Sequence, residues 1–424
     1  MKTEQGQQAN RDTEALYCDV AIIGAGIAGL WTAHRLRQRG LKVILIEPYA
    51  VGEGQTVRSQ GIIHGGLKYA LTGRLSSASE AVADMPTVWR NCLDGTGVLD
   101  LTKAVVLSEA QYLWSTGSLR ANVLNFFASK LLKSRVKRVN AEEFPSALKH
   151  RDFKGTVYRL NEPVLDIPSV LAALSEPLQP SILKVDPENG YQIYYKETQS
   201  SAPEIDYLVL RSAGRSLRLI AQYHVFTAGQ GNEKLSAGAG LTPMQRRPLQ
   251  MVTCTFKERS NPPHLYGHCI DDGATPRITV TTHPLKANKN QVTWYLGGQV
   301  AESGVSLSTA AQIAEARKAV SGLLPWVDLS GTEWDTTHID RAEPKQADGK
   351  KPDSIHVEFT GNVCLAWPTK LALSPLLADK VVESLCDKNK AQENEVNKER
   401  FDRDLATLNW PTATIARAPW EKRN

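Results

Sequence analysis

Residues 19–47 read DVAIIGAGIAGLWTAHRLRQRGLKVILIE. The pattern is strand, glycine turn, helix, strand. Val20, Ala21, Ile22 and Ile23 form a short apolar run of the kind carried by a strand buried on both faces. Gly24, Gly26 and Gly29 follow as GxGxxG, with Ala25, Ile27 and Ala28 between them. In such a turn the first glycine permits the tight bend. The second lets the backbone approach a pyrophosphate, and the third lets the helix pack on the strand. Leu30, Ala33, Leu36 and Arg37 recur at helical spacing, and Gly40 closes the helix. Val43 to Ile46 form a second strand, ending in Glu47. That acid stands about twenty residues past the glycines, where a carboxylate accepts hydrogen bonds from ribose hydroxyls. The stretch predicts a dinucleotide site on an α/β, Rossmann-like fold; a tight turn with no ligand would leave Glu47 unexplained.

Working outward, the chain has 424 residues and 42% hydrophobic content, enough for a large core and more than one domain. Its 50 basic and 45 acidic residues leave a net charge of +5, too balanced to imply a nucleic-acid partner. The densest basic run, KSRVKR at 133–138, interleaves no aromatics and reads as a solvated helix end. Cys18, Cys92, Cys254, Cys269, Cys364 and Cys386 are scattered without a CxxC, which suggests neither a zinc site nor a disulfide framework. The first sixteen residues are polar and lack a signal-peptide core, and no apolar run would span a bilayer. The expectation is a soluble cytoplasmic protein with no metal.

Along the chain, a helix is expected at 75–89, a strand at 101–107, an amphipathic helix at 118–133 and a strand at 157–160. A helix starts near Asp166-Ile167-Pro168-Ser169. Strands then follow as SILKV, YQIYY, YLVLRS and LRLIAQYHVF, ending in Thr227-Ala228-Gly229-Gln230-Gly231. Gly238 to Gly240 read as a loop. MQRRPLQMVTCTF, RITVTTH and VTWYLGGQV look like sheet strands, with helices expected at 310–323 and 371–385. The tail, 391–424, is expected to wrap over the surface.

With these pieces in order, the chain resembles the FAD-dependent D-amino-acid oxidase superfamily, which includes glycine and sarcosine oxidases, L-2-hydroxyglutarate dehydrogenase and FAD-dependent glycerol-3-phosphate dehydrogenases. The fingerprint matches well. SQGIIHGGLKY (59–69) is similar to the family segment that lies along the flavin, and VFTAGQGN (225–232) stands where the family has a strand ending in Ala-Gly. Arg341-Ala342-Glu343-Pro344 and the later GNVCLAWPTKLALSP stand where the family has an arginine and then a C-terminal flavin loop. There the family carries several glycines and this chain has Trp367-Pro368-Thr369-Lys370. The resemblance implies FAD. The fingerprint alone serves NAD equally, since both present an ADP half. It also implies an FAD-binding domain from 17–90, 165–243 and 336–390, with a mostly β-sheet substrate domain inserted as 91–164 and 244–335. The FAD contacts it implies are Gly24, Gly26, Ile27, Ala28, Gly29, Glu47, Ser59, Gln60, Gly61, His64, Gly65, Val185, Ala228, Gly229, Pro368, Thr369, Lys370 and Leu371.

The expected reaction is dehydrogenation of a small anionic substrate by hydride transfer to flavin N5, the donor being a 2-hydroxy acid or an amino acid. A polyol phosphate such as glycerol 3-phosphate is an alternative, and so is an electron-transfer subunit of a larger complex. Electrons would leave to oxygen, quinone or a carrier protein, and peripheral membrane contact fits a quinone acceptor. His64 is the first candidate near the flavin, as a base, a hydrogen-bond partner or a covalent attachment point. Lys370 would favour an anionic reduced flavin. Arg341, helped by Arg247 or Arg246, would grip a carboxylate or phosphate in two-point geometry. His268 is a plausible base; His283, Tyr266 and Tyr295 are weaker candidates on nearby segments.

Overall fold

Val363–Trp367, Arg215–Phe226, Ala15–Ile23, Val43–Glu47 and Ile182–Lys184 lie side by side in that order, every adjacent pair parallel. Parallel strands are covered on both faces, which is why these read as nearly unbroken apolar runs. Ile23, at the end of the first strand, pairs with Ile46 on one side and Phe226 on the other. His356–Thr360 extends the sheet antiparallel at one edge, and Tyr191–Tyr195 and Ile205–Ser212 form an antiparallel hairpin on Arg215–Phe226. These assignments come from a computed structural model that describes residues 14–66, 77–117, 136–197, 202–270, 276–288, 290–352, 354–389 and 398–421.

The chain forms two compact units. One comprises residues 1–56, 171–245 and 342–416; the other comprises 57–170, 246–341 and 417–424. Residues 57–90, grouped with the fingerprint in the sequence reading, pack in the second unit. They do so because Ile62 bridges Val164 antiparallel and the Ile63 and Leu165 N–H groups donate across that bridge. The second unit is built on another sheet, ordered Glu333–Pro344, Met244–Thr255, Val292–Gly297, Ile278–Pro284, Gly267–Cys269, Gln111–Ser115, Thr156–Leu160 and Val136–Arg138. Trp114, Phe256, Trp294 and Leu296 lie in its core, with Val320 and Leu323 of the helix Thr309–Leu323 packed against them.

Several expectations need correction. The strand expected at 101–107 shrinks to Val106–Ser108. Asp100 instead accepts from the Thr102 N–H and hydroxyl, a local turn that competes with strand pairing. Of the basic run, Val136–Arg138 is a strand paired with Thr156–Leu160, not a helix end. Residues 238–240 close a helix, Asn232–Ala239, with Gly240 as its left-handed cap at φ 65°. The helix expected at 118–133 lies outside the described residues.

The tail is also more than a surface wrapping. Lys398–Thr407 is a helix, and Phe401, Leu408 and Trp410 join the core of the first unit. Trp410 Nε1 donates to the Lys184 carbonyl at 2.7 Å, and Thr412 bridges Leu183. The tail thereby covers the Ile182–Lys184 edge, which would otherwise offer unpaired backbone groups. In the second unit Trp420 stacks on His283 at 3.9 Å between centroids.

Phe401→Ala should cost roughly 3–5 kcal/mol, as for other buried phenylalanines, in equilibrium urea unfolding; a loss below about 1 kcal/mol would mean the tail is not part of the core. His224 is fully buried on Arg215–Phe226. Burial, with a smaller push from Lys196, drives its pKa down to about 3. The unfolded chain takes up this proton below about pH 6.5 and the native chain only near pH 3, so stability falls as pH drops through that window. His224→Leu should flatten the slope of unfolding free energy against pH there; an unchanged slope would remove His224 as its source.

Candidate active site

In the first unit the glycine turn brings backbone against backbone. Gly24 has φ +107°, and a Cβ on it would stand 2.7 Å from the Ala228 Cα. A Cβ on Gly29 would stand 2.0 Å from the Gly24 carbonyl oxygen. Gly26 is different: a Cβ there would meet only the Thr56 Oγ1, at 3.2 Å, so the face of the middle glycine is open to an approaching group. Behind it starts the helix Ile27–Gln38, with Gly26 as N-cap and no acidic side chain in the first turn. Its positive end is left for an anion. Thr56 Oγ1 accepts from the Ile27 N–H at 3.1 Å, a link between residues 29 apart that local pattern does not announce.

Glu47 braces this turn. Its carboxylate accepts from the Ala25 N–H at 2.8 Å and from the Tyr49 N–H at 3.0 Å. Burial pushes its pKa up, opposed by those two amides. Both bonds leave acceptor lone pairs for ribose hydroxyls. Val185 donates its N–H to the Glu47 carbonyl at 3.1 Å. Ala228 and Gly229 sit at the turn after Phe226, where Asn232 Oδ1 accepts from the Ala228 N–H at 2.9 Å. An open glycine face, a helix N-terminus free of acids and a buried carboxylate are a cradle that fits the ADP half of FAD.

Pro368, Thr369, Lys370 and Leu371 follow Val363–Trp367 in the same unit. Thr369 takes φ +59°, a left-handed conformation unfavourable for a β-branched residue, and donates its hydroxyl to the Ser354 carbonyl at 3.0 Å. This threonine thus turns the backbone in a conformation that favours glycine. Lys370 precedes a single 3-10 turn, Leu371–Leu373, before the helix Ser374–Asn389.

The second unit holds a separate polar cluster. His64 Nδ1 lies 3.4 Å from Glu162 Oε2 and 3.3 Å from Gln111 Nε2. Gln111 Nε2 donates closely to the same Glu162 oxygen, and the Gly65 N–H donates to the other at 2.8 Å. Glu162 is 7% exposed and Gln111 1%, while the His64 side chain is 39% exposed. The His268 ring stacks on His64 with centroids 5.5 Å apart, and its Nδ1 pairs with Thr279 Oγ1 at 2.7 Å. Gln60 Nε2 donates to the Tyr295 carbonyl at 2.9 Å and the Thr279 carbonyl at 3.3 Å. Gly61 accepts from the Leu165 N–H at 2.9 Å. The Ser59 hydroxyl is buried without a hydrogen-bond partner among the described residues.

So His64 and His268 are brought together, and with them Gln111, Glu162 and Thr279, which the sequence reading missed. The available signal was Asn161-Glu162-Pro163, a charged break between two apolar strands. Arg341 and Arg247 form a second pair: Arg341 Nε donates to the Arg247 carbonyl at 3.0 Å and its Nη1 lies 3.7 Å from Glu302. In the sheet order their strands stand several positions from Gly267–Cys269, each position adding about 4.8 Å. His283 is not placed as a base: it is fully buried against Trp420, and burial drives its pKa down to about 3. Tyr266 and Tyr295 are buried with pKa values pushed up by desolvation, and the Tyr295 hydroxyl donates to the Arg58 carbonyl at 3.0 Å. No group of three His, Cys, Asp or Glu side chains is arranged to hold a metal among the described residues, and none of their helices is long and apolar enough to cross a membrane.

Residues 19–334 match the DAO family of FAD dependent oxidoreductases. A probable FAD-dependent oxidoreductase of Pseudomonas aeruginosa is 47% identical over 88% of this chain and 92% of its own length. The crystal structure of the FAD dependent oxidoreductase from that organism superposes with a TM-score of 0.78 at 39% identity, covering 96% of this chain and 98% of the other. Glycine oxidase from Geobacillus kaustophilus shares the fold, with a TM-score of 0.62 at 16% identity over 91% of this chain and 98% of its own. One component of the anaerobic glycerol-3-phosphate dehydrogenase of Escherichia coli is 34% identical over 24% of this chain and 18% of its own length.

Gly26→Ala separates fold from cofactor. Its backbone is extended, at φ −77° and ψ −176°, so alanine requires only a small shift of Thr56 Oγ1. The variant should fold with a melting temperature within a few degrees of wild type yet retain FAD at least about tenfold more weakly, read from released flavin fluorescence. Unchanged retention would mean that no pyrophosphate approaches this glycine.

Proposed function

The chain belongs to the DAO family of FAD-dependent oxidoreductases, and from that membership we propose that its donor is a small anionic molecule, a 2-hydroxy acid or an amino acid. FAD, when bound, supplies the two-electron acceptor. The protein's part is to hold the donor carbon in place, receive a proton and balance charge. His64 is assigned to the reacting end, with His268 beside it. Arg341, engaged by the Arg247 carbonyl and standing several strands from His268, is not assigned to the donor. Lys370, at the turn before its helix, is assigned to the negative charge of the reduced cofactor.

The observation that carries this proposal is the buried carboxylate Glu162 clamped to His64 and to the Gly65 amide. Burying such a charge is costly unless it is hydrogen-bonded, and here those bonds fix the carboxylate against His64. A glycerol-3-phosphate-type activity is the second reading, favoured by the limited likeness to the Escherichia coli dehydrogenase component. The six free cysteines, with no disulfide among them, fit a reducing compartment and hence the cytoplasm.

Anaerobic mixing of the holoprotein with 2-hydroxy acids, amino acids and glycerol 3-phosphate, followed at the flavin absorbance near 450 nm, tests it. At least one anionic acid should bleach the flavin, and His64→Ala should slow that bleaching by about 100-fold or more. Bleaching by glycerol 3-phosphate alone selects the second reading. No bleaching by any donor unless a co-purifying protein is restored would instead make the chain an electron-transfer component of a complex.

A further inference from the structure

We propose that Glu162, held in place by Gln111 and the Gly65 amide, is the positioning residue that fixes His64 as a proton acceptor, and that the donor is therefore a 2-hydroxy acid rather than an amino acid. The inference rests on the assignment of His64 to the reacting end and carries it further, to substrate class.

The geometry is specific about which ring nitrogen faces the carboxylate. Glu162 Oε2 lies on the Nδ1 side of His64, at 3.4 Å. Gln111 also reaches Nδ1, at 3.3 Å, so two arrangements compete. In one, Gln111 donates to a bare Nδ1. In the other, Nδ1 carries the hydrogen and donates to Glu162. Charge decides between them, because a hydrogen bond to a carboxylate is roughly twice as strong as one between neutral groups. Gln111 Nε2 donates one of its two N–H groups to that same carboxylate oxygen, which holds the oxygen in place beside Nδ1. With the hydrogen on Nδ1, the lone pair of the neutral ring sits on Nε2, on a side chain that remains 39% exposed. This is the arrangement in which a carboxylate fixes the tautomer and orientation of a histidine. Among the described residues, the titratable side chains against the His64 ring are Glu162 and His268, and His268 Nδ1 is itself engaged by Thr279 Oγ1.

An oriented base discriminates between donors. The neutral amine form of an amino acid, once its ammonium has given a proton to solvent, carries a lone pair and can expel hydride without losing a further N–H proton. A hydroxyl must lose its proton as the C–H electrons leave. For a 2-hydroxy acid the balance is complete: the O–H bond breaks with its proton passing to His64 Nε2. Bound FAD would supply the two-electron acceptor for the C–H pair, and the carbon would become the ketone of a 2-oxo acid.

The test has two arms. Histidine 15N spectra of the holoprotein, with His64 assigned by its absence in His64→Ala, should show neutral His64 protonated on Nδ1. In Glu162→Gln the hydrogen should move largely to Nε2. Anaerobic flavin reduction by a 2-hydroxy acid should fall about 100-fold in Glu162→Gln with donor affinity changed less than about threefold, and Glu162→Asp should recover part of the rate. A wild-type His64 protonated on Nε2 overturns the proposal even if the variants fail to fold. So does a Glu162→Gln enzyme that reduces at the wild-type rate, or a wild-type enzyme reduced by amino acids while hydroxy acids are inert. If neither class of acid reduces the flavin, the functional assignment fails, while the tautomer still decides the Glu162 pairing by itself.

Discussion

The first unit depends on a place where backbone meets backbone with no side chain between. Gly29 lies so close to the Gly24 carbonyl, and Gly24 so close to Ala228, that a single added methyl would overlap its neighbour. Thr227 locks the junction, its Oγ1 donating to the Gly24 carbonyl at 3.0 Å and its N–H to the Ile23 carbonyl at 2.9 Å. Two strands and a helix therefore converge on one point. The bond from the Ala25 N–H to buried Glu47 then draws the end of a third strand onto it. The parallel order of the sheet and the aim of the helix N-terminus follow from that convergence.

In the second unit the governing constraint is electrostatic. Glu162 is nearly inaccessible, and a lone carboxylate there would face a desolvation cost that no single contact offsets. Gln111 and the Gly65 N–H donate to it from two separate segments, and His64, beside Gly65, lies against it. The Ile62 to Val164 bridge sets the two segments that carry Gly65 and Glu162 in register, so strand pairing and site geometry are one arrangement. Fold alone would not select the donor: glycine oxidase has the same architecture at 16% identity.

Sequence was most informative where physics is local. The run from Val20 to Glu47 could be read because apolar periodicity, glycine spacing and a terminal acid all act within thirty residues or so. Most strands of both sheets were legible for the same reason, through alternation and β-branched content. What could not be read depends on distant partners. Glu162 meets Gly65 across 97 positions, and Thr56 meets Ile27 across 29. The charged tail looked like surface because Phe401 and Trp410 are sparse among polar residues, and only the sheet edge they cover gives them a purpose. Thr369 shows the opposite case: its left-handed backbone contradicts its residue type and is imposed by its surroundings.

The first unit is made of three separated stretches, 1–56, 171–245 and 342–416. Its central strand finds Arg218 opposite Ala15, and beyond that lie Val363–Trp367 and a tail that includes Trp410. During synthesis, therefore, the glycine turn emerges well before the strands Arg215–Phe226 and Val363–Trp367 that close its sheet. Such long-range closure makes folding slow and leaves strand edges open meanwhile. The nucleotide cradle is thus begun by one stretch and completed by others far along the chain.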